Sequence, residues 1–295
     1  MSLKNRLLRR SWHYVRWNAL RQYTAKVDQS LPPVVVLQMG KVGSSSVVRT
    51  LEAGLTDHFV HHVHFLSDEF IERVEGQFKA AKSAKRGYHL DQHVAASRYL
   101  NKYLTRDLAG KKPLLVSLVR DPVARNLSAF FQAFPVYFAS PHQQRNATGS
   151  MAEFSADELE RMFLDEFGEY RHNLPLTWFD EHIKAGFGLD IFADTFDQEA
   201  GYSLFENDQC SLLVLTVESL PDSLVAGMSA LLGVKSIEVL RDNTATDKAY
   251  GDAYQQFMRT VRLSEEYLDR MYDSDFAKFF YPPDSIAKFR ARWTR

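Results

Sequence analysis

Three groups of residues in this 295-residue chain have the types and spacing to hold an anion or move a proton. The first is Gly40-Lys41-Val42-Gly43-Ser44-Ser45-Ser46, which packs a cation, two glycines and three hydroxyls into seven positions. The second is Arg120-Asp121-Pro122, with Ser128 eight residues after the arginine. Arginine offers a planar fork of donors suited to phosphate, and a serine hydroxyl adds one more. The third is a set of histidines: His62 and His64 in alternation, then His89 and His93. An imidazole titrating near pH 6.5 can act as a base around neutrality. The alternating pair also has a metal-site spacing. No thiol or carboxylate pattern accompanies it, and hydrogen-bonded strand histidines are the expectation.

Each group needs an element to position it. Val34 to Leu37 is a short apolar run, three of its four residues β-branched, and reads as a strand buried on both faces. Behind the glycine turn, Val47, Val48, Leu51 and Leu55 recur at helical spacing, with Ser44 to Ser46 as N-cap candidates and Gly54 near the end. Strand, turn and helix N-terminus form an anion site, because unbonded amides and the helix dipole converge there. The lysine precedes the last glycine, so the G-x-x-x-x-G-K-[ST] order of nucleotide triphosphatases is not met.

Further on, 61–65 reads as a second strand, 67–85 as helical, and Tyr88-His89-Leu90 as a strand end before a helix over 94–104. Leu114 to Val119 is a third strand, and Pro122 suits the first position of the helix that follows it. Residues 135–155 read as a loop. Helices are expected over 157–167 and 176–186, a strand over 212–217, and one long helix over 251–272.

The whole chain sets limits on these readings. Hydrophobic content of 45% and charged content of 25% fit a globular protein with a large core. A net charge of −1 argues against nucleic-acid binding by bulk positive charge. The single cysteine, Cys210, excludes an internal disulfide and a Cys-rich zinc site. With neither a signal peptide nor a membrane-spanning run of about 20 apolar residues, a cytoplasmic protein is expected.

Two regions are expected: a basic helical segment, 1–30, and one domain, 31–295. In the segment Lys4, Arg6, Arg9, Arg10, Arg16, Arg21 and Lys26 stand against Asp28, a net of +6. Leu8, Trp12, Val15 and Ala19 recur at helical spacing there. Such a helix suits the anionic inner face of a membrane, an acidic polymer, or packing on the domain.

Lys41-Val42-Gly43-Ser44-Ser45 after a buried strand resembles the 5′-phosphosulfate loop of sulfotransferases that use 3′-phosphoadenosine 5′-phosphosulfate (PAPS). Val119-Arg120-Asp121-Pro122, with Arg125, Ser128 and Phe130, resembles their 3′-phosphate motif and follows in the same order. With Leu176-Thr177-Trp178-Phe179-Asp180, the wider pattern over about 33–260 is similar to bacterial capsular polysaccharide synthesis proteins of the sulfotransferase-like group. The resemblance implies a P-loop-like, three-layer α/β domain with a mostly parallel central sheet.

It also implies sulfuryl transfer from PAPS to a hydroxyl of a glycan, such as a surface or capsular polysaccharide. Lys41 would then stabilise the leaving oxygen, while Gly43, Ser44, Ser45 and Ser46 hold the 5′-phosphate. Arg120 and Ser128 would hold the 3′-phosphate. Arg241 and Lys248 would lie on a late loop that folds over the nucleotide. His89 stands where several sulfotransferases carry their catalytic histidine, with His93 and His64 as rivals for the base. The sulfate carries its own activation, so no metal is required. Two other classes stay open. A P-loop kinase-like phosphotransferase would need a magnesium-binding carboxylate, for which Glu218 is the candidate. A non-catalytic nucleotide- or glycan-binding module is the other.

Overall fold

The computed structural model describes Val15 and residues 18–26, 28, 30–80, 87–104, 111–137, 154–233, 237–240 and 251–294. The side chains of 77–80, 87–92, 133–137, 156, 251–254 and 256 are not described. Five strands form one sheet: β1 (Val34–Leu37), β2 (Val60–Val63), β3 (Leu114–Val119), β4 (Tyr202–Glu206) and β5 (Ser211–Thr216). Their order is β2-β1-β3-β5-β4, and every neighbouring pair is parallel except β4 with β5. This is an α/β fold. In register, Val34 sits between Val60 and Leu114, so β1 is bonded on both sides. Its four residues are fully buried, as the uninterrupted apolar run requires.

The helices that matter to the site are α1 (Ser44–Gly54), α2 (Asp68–Ala80), α3 (Gly87–Lys102) and α4 (Pro122–Tyr137). They are followed by α5 (Ala156–Arg161), α6 (Glu169–Phe179) and α7 (Asp222–Leu232). The C-terminal part adds α8 (Gly251–Thr260), α9 (Glu265–Tyr272), α10 (Asp275–Phe280) and α11 (Pro283–Trp293). Both α5 and α6 run on into π-helical turns, Met162–Glu166 and Asp180–Lys184. One core surrounds the sheet. A second lies among helices, where Phe130 and Phe131 of α4 pack with Phe163, Phe257, Tyr272 and others.

Several sequence expectations are corrected. Tyr88-His89-Leu90 is not the end of a strand: the backbone is helical from Gly87 onward. The helix expected over 251–272 is two, because Ser264 caps a new one by accepting from the Tyr267 N–H at 3.3 Å. Of the apolar positions expected to face inward in the N-terminal segment, Leu8 and Trp12 lie outside the described residues, while Val15 is 64% exposed and Ala19 is exposed. Leu20, Tyr23 and Thr24 face inward instead. The Tyr23 ring lies 5.3 Å from Phe59, and Tyr99 donates to Thr24 at 2.7 Å. Strand β4 was not anticipated. It is an edge strand with Leu204 exposed, turned back on β5 by Asn207, whose Oδ1 accepts from the Gln209 and Cys210 amides. Among the described residues, no helix is long and apolar enough to cross a membrane.

Candidate anion site and adjoining cavity

The order β2-β1-β3 makes β1 a topological switch point. The chain leaves it for a neighbour on one side and later returns on the other, which opens a crevice at the carboxyl ends of β1 and β3. The turn Gly40 to Gly43 fills the end of β1. Lys41 has φ 75° and Gly43 has φ 74°. Left-handed backbone is unusual for a lysine and costs on the order of 1 kcal/mol, so the turn must be held from outside.

Two arginines hold it. Arg120, just beyond β3, donates from Nη1 to the Lys41 carbonyl at 3.2 Å. Arg125, one turn into α4, donates from Nε to the Gly40 carbonyl at 3.0 Å. Its Nη1 reaches Asn126 Oδ1 at 2.9 Å and the Arg171 carbonyl at 3.3 Å. Arg125 is 5% exposed, and burial pulls its guanidinium down to about 10. No carboxylate among the described residues pairs with it.

The N-cap of α1 is Gly43, with no side-chain cap bond, rather than one of the serines. Ser44, Ser45 and Ser46 are instead the first three helical residues. Their amides are among those that an α-helix leaves without intrahelical partners. Ser128 lies about two turns into α4 and is buried, 8% exposed.

Asp121 builds the start of α4. Its Oδ1 accepts from the Val123 and Ala124 amides at 2.9 and 3.3 Å and from the Tyr272 hydroxyl at 2.9 Å. Burial pushes its carboxyl up, and these hydrogen bonds oppose the shift. Glu218, just past β5, accepts from the Asp121 N–H and the Tyr281 hydroxyl, both at 2.9 Å. With both oxygens engaged, Glu218 acts as a brace between β5, β3 and the C-terminal helices.

The histidines gather beside the turn. The His64 ring lies 4.8 Å from His62 and 4.7 Å from His93. His64 Nδ1 is 2.9 Å from the Gln38 carbonyl. A carbonyl only accepts, so Nδ1 carries the proton and Nε2 keeps a lone pair. Burial, with His62 adding to it, pulls His64 down to about 4. His62 is likewise near 4, through burial and then His93 and His61. Among the described residues, no group of three His, Cys, Asp or Glu is arranged to hold a metal ion. His89 falls in the first turn of α3, where side chains are not described; Arg241 and Lys248 lie outside the described residues.

Next to the turn is a cavity of about 150 Å³, lined by Met39 and Gly40 together with His64, Phe70, Trp178 and His182, among others. Sequence reasoning missed this cavity and the role of Arg125. Arg125 was visible within the second motif, but nothing local marks an arginine as buried.

A family model described as "putative capsular polysaccharide synthesis protein" matches residues 159–282, less than half of the chain. The match runs from the last residues of α5 through α10 and takes in both β4 and β5, but neither the Gly40–Ser46 turn nor Arg120. Comparison with curated proteins and with solved structures finds no match.

Proposed function

We propose that this chain is a PAPS-dependent sulfotransferase acting on a glycan hydroxyl in the synthesis of a capsular or other surface polysaccharide. One observation carries the reading. The two cationic segments, 79 residues apart in sequence, meet in one crevice through the bond from Arg120 to the Lys41 carbonyl. Two cationic segments in one crevice suit a nucleotide with phosphates at both ends of its ribose. The 5′-phosphosulfate lies on the α1 N-terminus, and the 3′-phosphate lies between Arg120 and Ser128. Lys41 meets the charge that develops on the leaving 5′-phosphate. The acceptor proton goes to a histidine of the β2–α3 group, His89, His64 or His93. The buried, carboxylate-free Arg125 adds positive potential beneath the turn. The family-model match supplies the polysaccharide context.

Calorimetry on Arg120→Ala tests the assignment. Binding of 3′-phosphoadenosine 5′-phosphate should weaken by about 2–3 kcal/mol, the scale of a lost charged hydrogen bond. Adenosine 5′-phosphosulfate lacks the 3′-phosphate and should lose only the smaller part that comes from a looser turn. Equal losses for the two ligands would refute the reading.

A further inference from the structure

The cavity beside the turn has its own chemistry. At about 150 Å³ it matches an engineered cavity that takes up one benzene, so it has room for one six-membered ring and not for two. Phe70 and Trp178 give it aromatic walls, and Tyr170, 41% exposed, stands at its mouth. Two imidazoles line it, beside the Arg73 guanidinium and the Tyr170 hydroxyl. His64 offers the Nε2 lone pair fixed by its bond to Gln38. His182 is 5% exposed, and no hydrogen bond ties its ring nitrogens to any described residue. Its ring is held by aromatic contact alone, 4.3 Å from Phe70 and 5.1 Å from Trp178. Its ring nitrogens are therefore open to hydrogen-bond whatever occupies the cavity.

The walls carry no unpaired charge. Arg73 stacks on Phe70 and is neutralised by Glu69 at 3.4 Å and Glu181 at 4.0 Å. Burial holds both His64 and His182 near 4, so both are neutral at pH 7. Apolar ring faces beside a few fixed hydrogen-bonding groups are what a sugar ring presents its own C–H face and hydroxyls to.

We propose that this cavity is a subsite for a single uncharged pyranose ring, the terminal residue of the acceptor chain, resting on the aromatic walls of Phe70 and Trp178 with hydroxyls on His64 and His182. The acceptor role rests on the sulfotransferase reading, because Gly40 is shared by the cavity wall and the donor turn. The ring subsite itself does not depend on that reading.

The test uses the full chain, with and without 3′-phosphoadenosine 5′-phosphate, titrated with methyl hexopyranosides and with the methyl glycoside of glucuronic acid. Calorimetry or saturation-transfer NMR reports binding. At least one neutral glycoside should bind saturably, and the glucuronide at least tenfold more weakly. Val74→Phe fills the cavity from α2 and should abolish sugar binding; Tyr170→Ala, at the exposed mouth and safe for folding, should weaken it severalfold. Nucleotide affinity should change less than twofold in both. Undiminished sugar binding in both variants, equal binding of the glucuronide, or no binding of any glycoside would overturn the subsite. A wild type that binds sugar but not the nucleotide would instead refute the donor assignment and leave the subsite standing.

Discussion

Taking a guanidinium out of water costs several kcal/mol unless hydrogen bonds and an opposite charge make up the loss. Arg125 has the hydrogen bonds, to Gly40, Asn126 and Arg171, without the opposite charge. Its cost is therefore met partly by organising the turn, and further by any anion that binds above it. A lysine cannot replace it: one ammonium on a flexible stem does not span three acceptors set apart by the planar fork. Arg125→Lys should lower stability by on the order of 2–4 kcal/mol in urea unfolding, because the abandoned acceptors stay buried. It should also weaken 3′-phosphoadenosine 5′-phosphate by about tenfold, since Lys41 loses the support for its left-handed backbone. A variant with unchanged nucleotide affinity would separate Arg125 from the site.

At the scale of elements, the turn Val217–Ser219 links the edge of the sheet to the anion site. Its Val217 methyls lie 3.6 and 3.8 Å from where a Cβ on Gly43 would stand, and its Glu218 holds Asp121. Gly201, at the start of β4, is its neighbour. It has φ 70°, and a Cβ there would overlap the Ser219 side chain. Gly233, after α7, has nearly the same φ, 68°, with open space around it. The pair separates backbone strain from steric overlap. Gly233→Ala should cost about 1 kcal/mol from the left-handed backbone alone. Gly201→Ala should cost that plus a further 1–3 kcal/mol for overpacking. It should also weaken nucleotide binding by displacing the turn. Matching unfolding midpoints for the two variants would show that the Ser219 turn yields freely.

For the whole molecule, acid should be destabilising well before the carboxylates titrate. His62, His64, His172 and His182 are each held near 4, with burial the first cause in every case. His172 is locked between the Phe163 carbonyl at 2.9 Å and the Tyr267 hydroxyl at 3.0 Å. Their folded-state values lie below the unfolded value of 6.5, so the unfolded chain takes up protons first as pH falls. The stability these groups contribute is complete above about pH 6.5 and drains away toward pH 4. Asp121 and Glu218, raised by burial, act with the opposite sign and offset part of the loss. At 1.36 kcal/mol per unit, the two most buried histidines alone amount to several kcal/mol by pH 4. Urea unfolding at pH 7 and pH 5 should show a clearly lower midpoint at pH 5. A flat profile would mean that the histidines open to water before they protonate.

The elements that flank the anion site were legible in the sequence because their causes are local. The apolar runs at 34–37 and 114–119 can satisfy their backbone only inside a sheet. Pro122 and the helical spacing of the apolar residues after it specify α4, and Gly43 follows from the left-handed conformation it permits. His89 shows where local reading stops: three residues of strand-like composition became the first turn of α3, because periodicity over so short a stretch cannot separate the two. Strand β4, with Leu204 exposed at the edge, gave no hydrophobic run to find. Which strands are neighbours was decided by the tertiary structure alone, since pairing partners 80 residues apart leave no local mark. With that adjacency came the meeting of Lys41 and Arg120, the burial of Arg125, and a cavity whose walls come from the segments just past β1 and β2, from α2, and from α6 with its π-helical continuation.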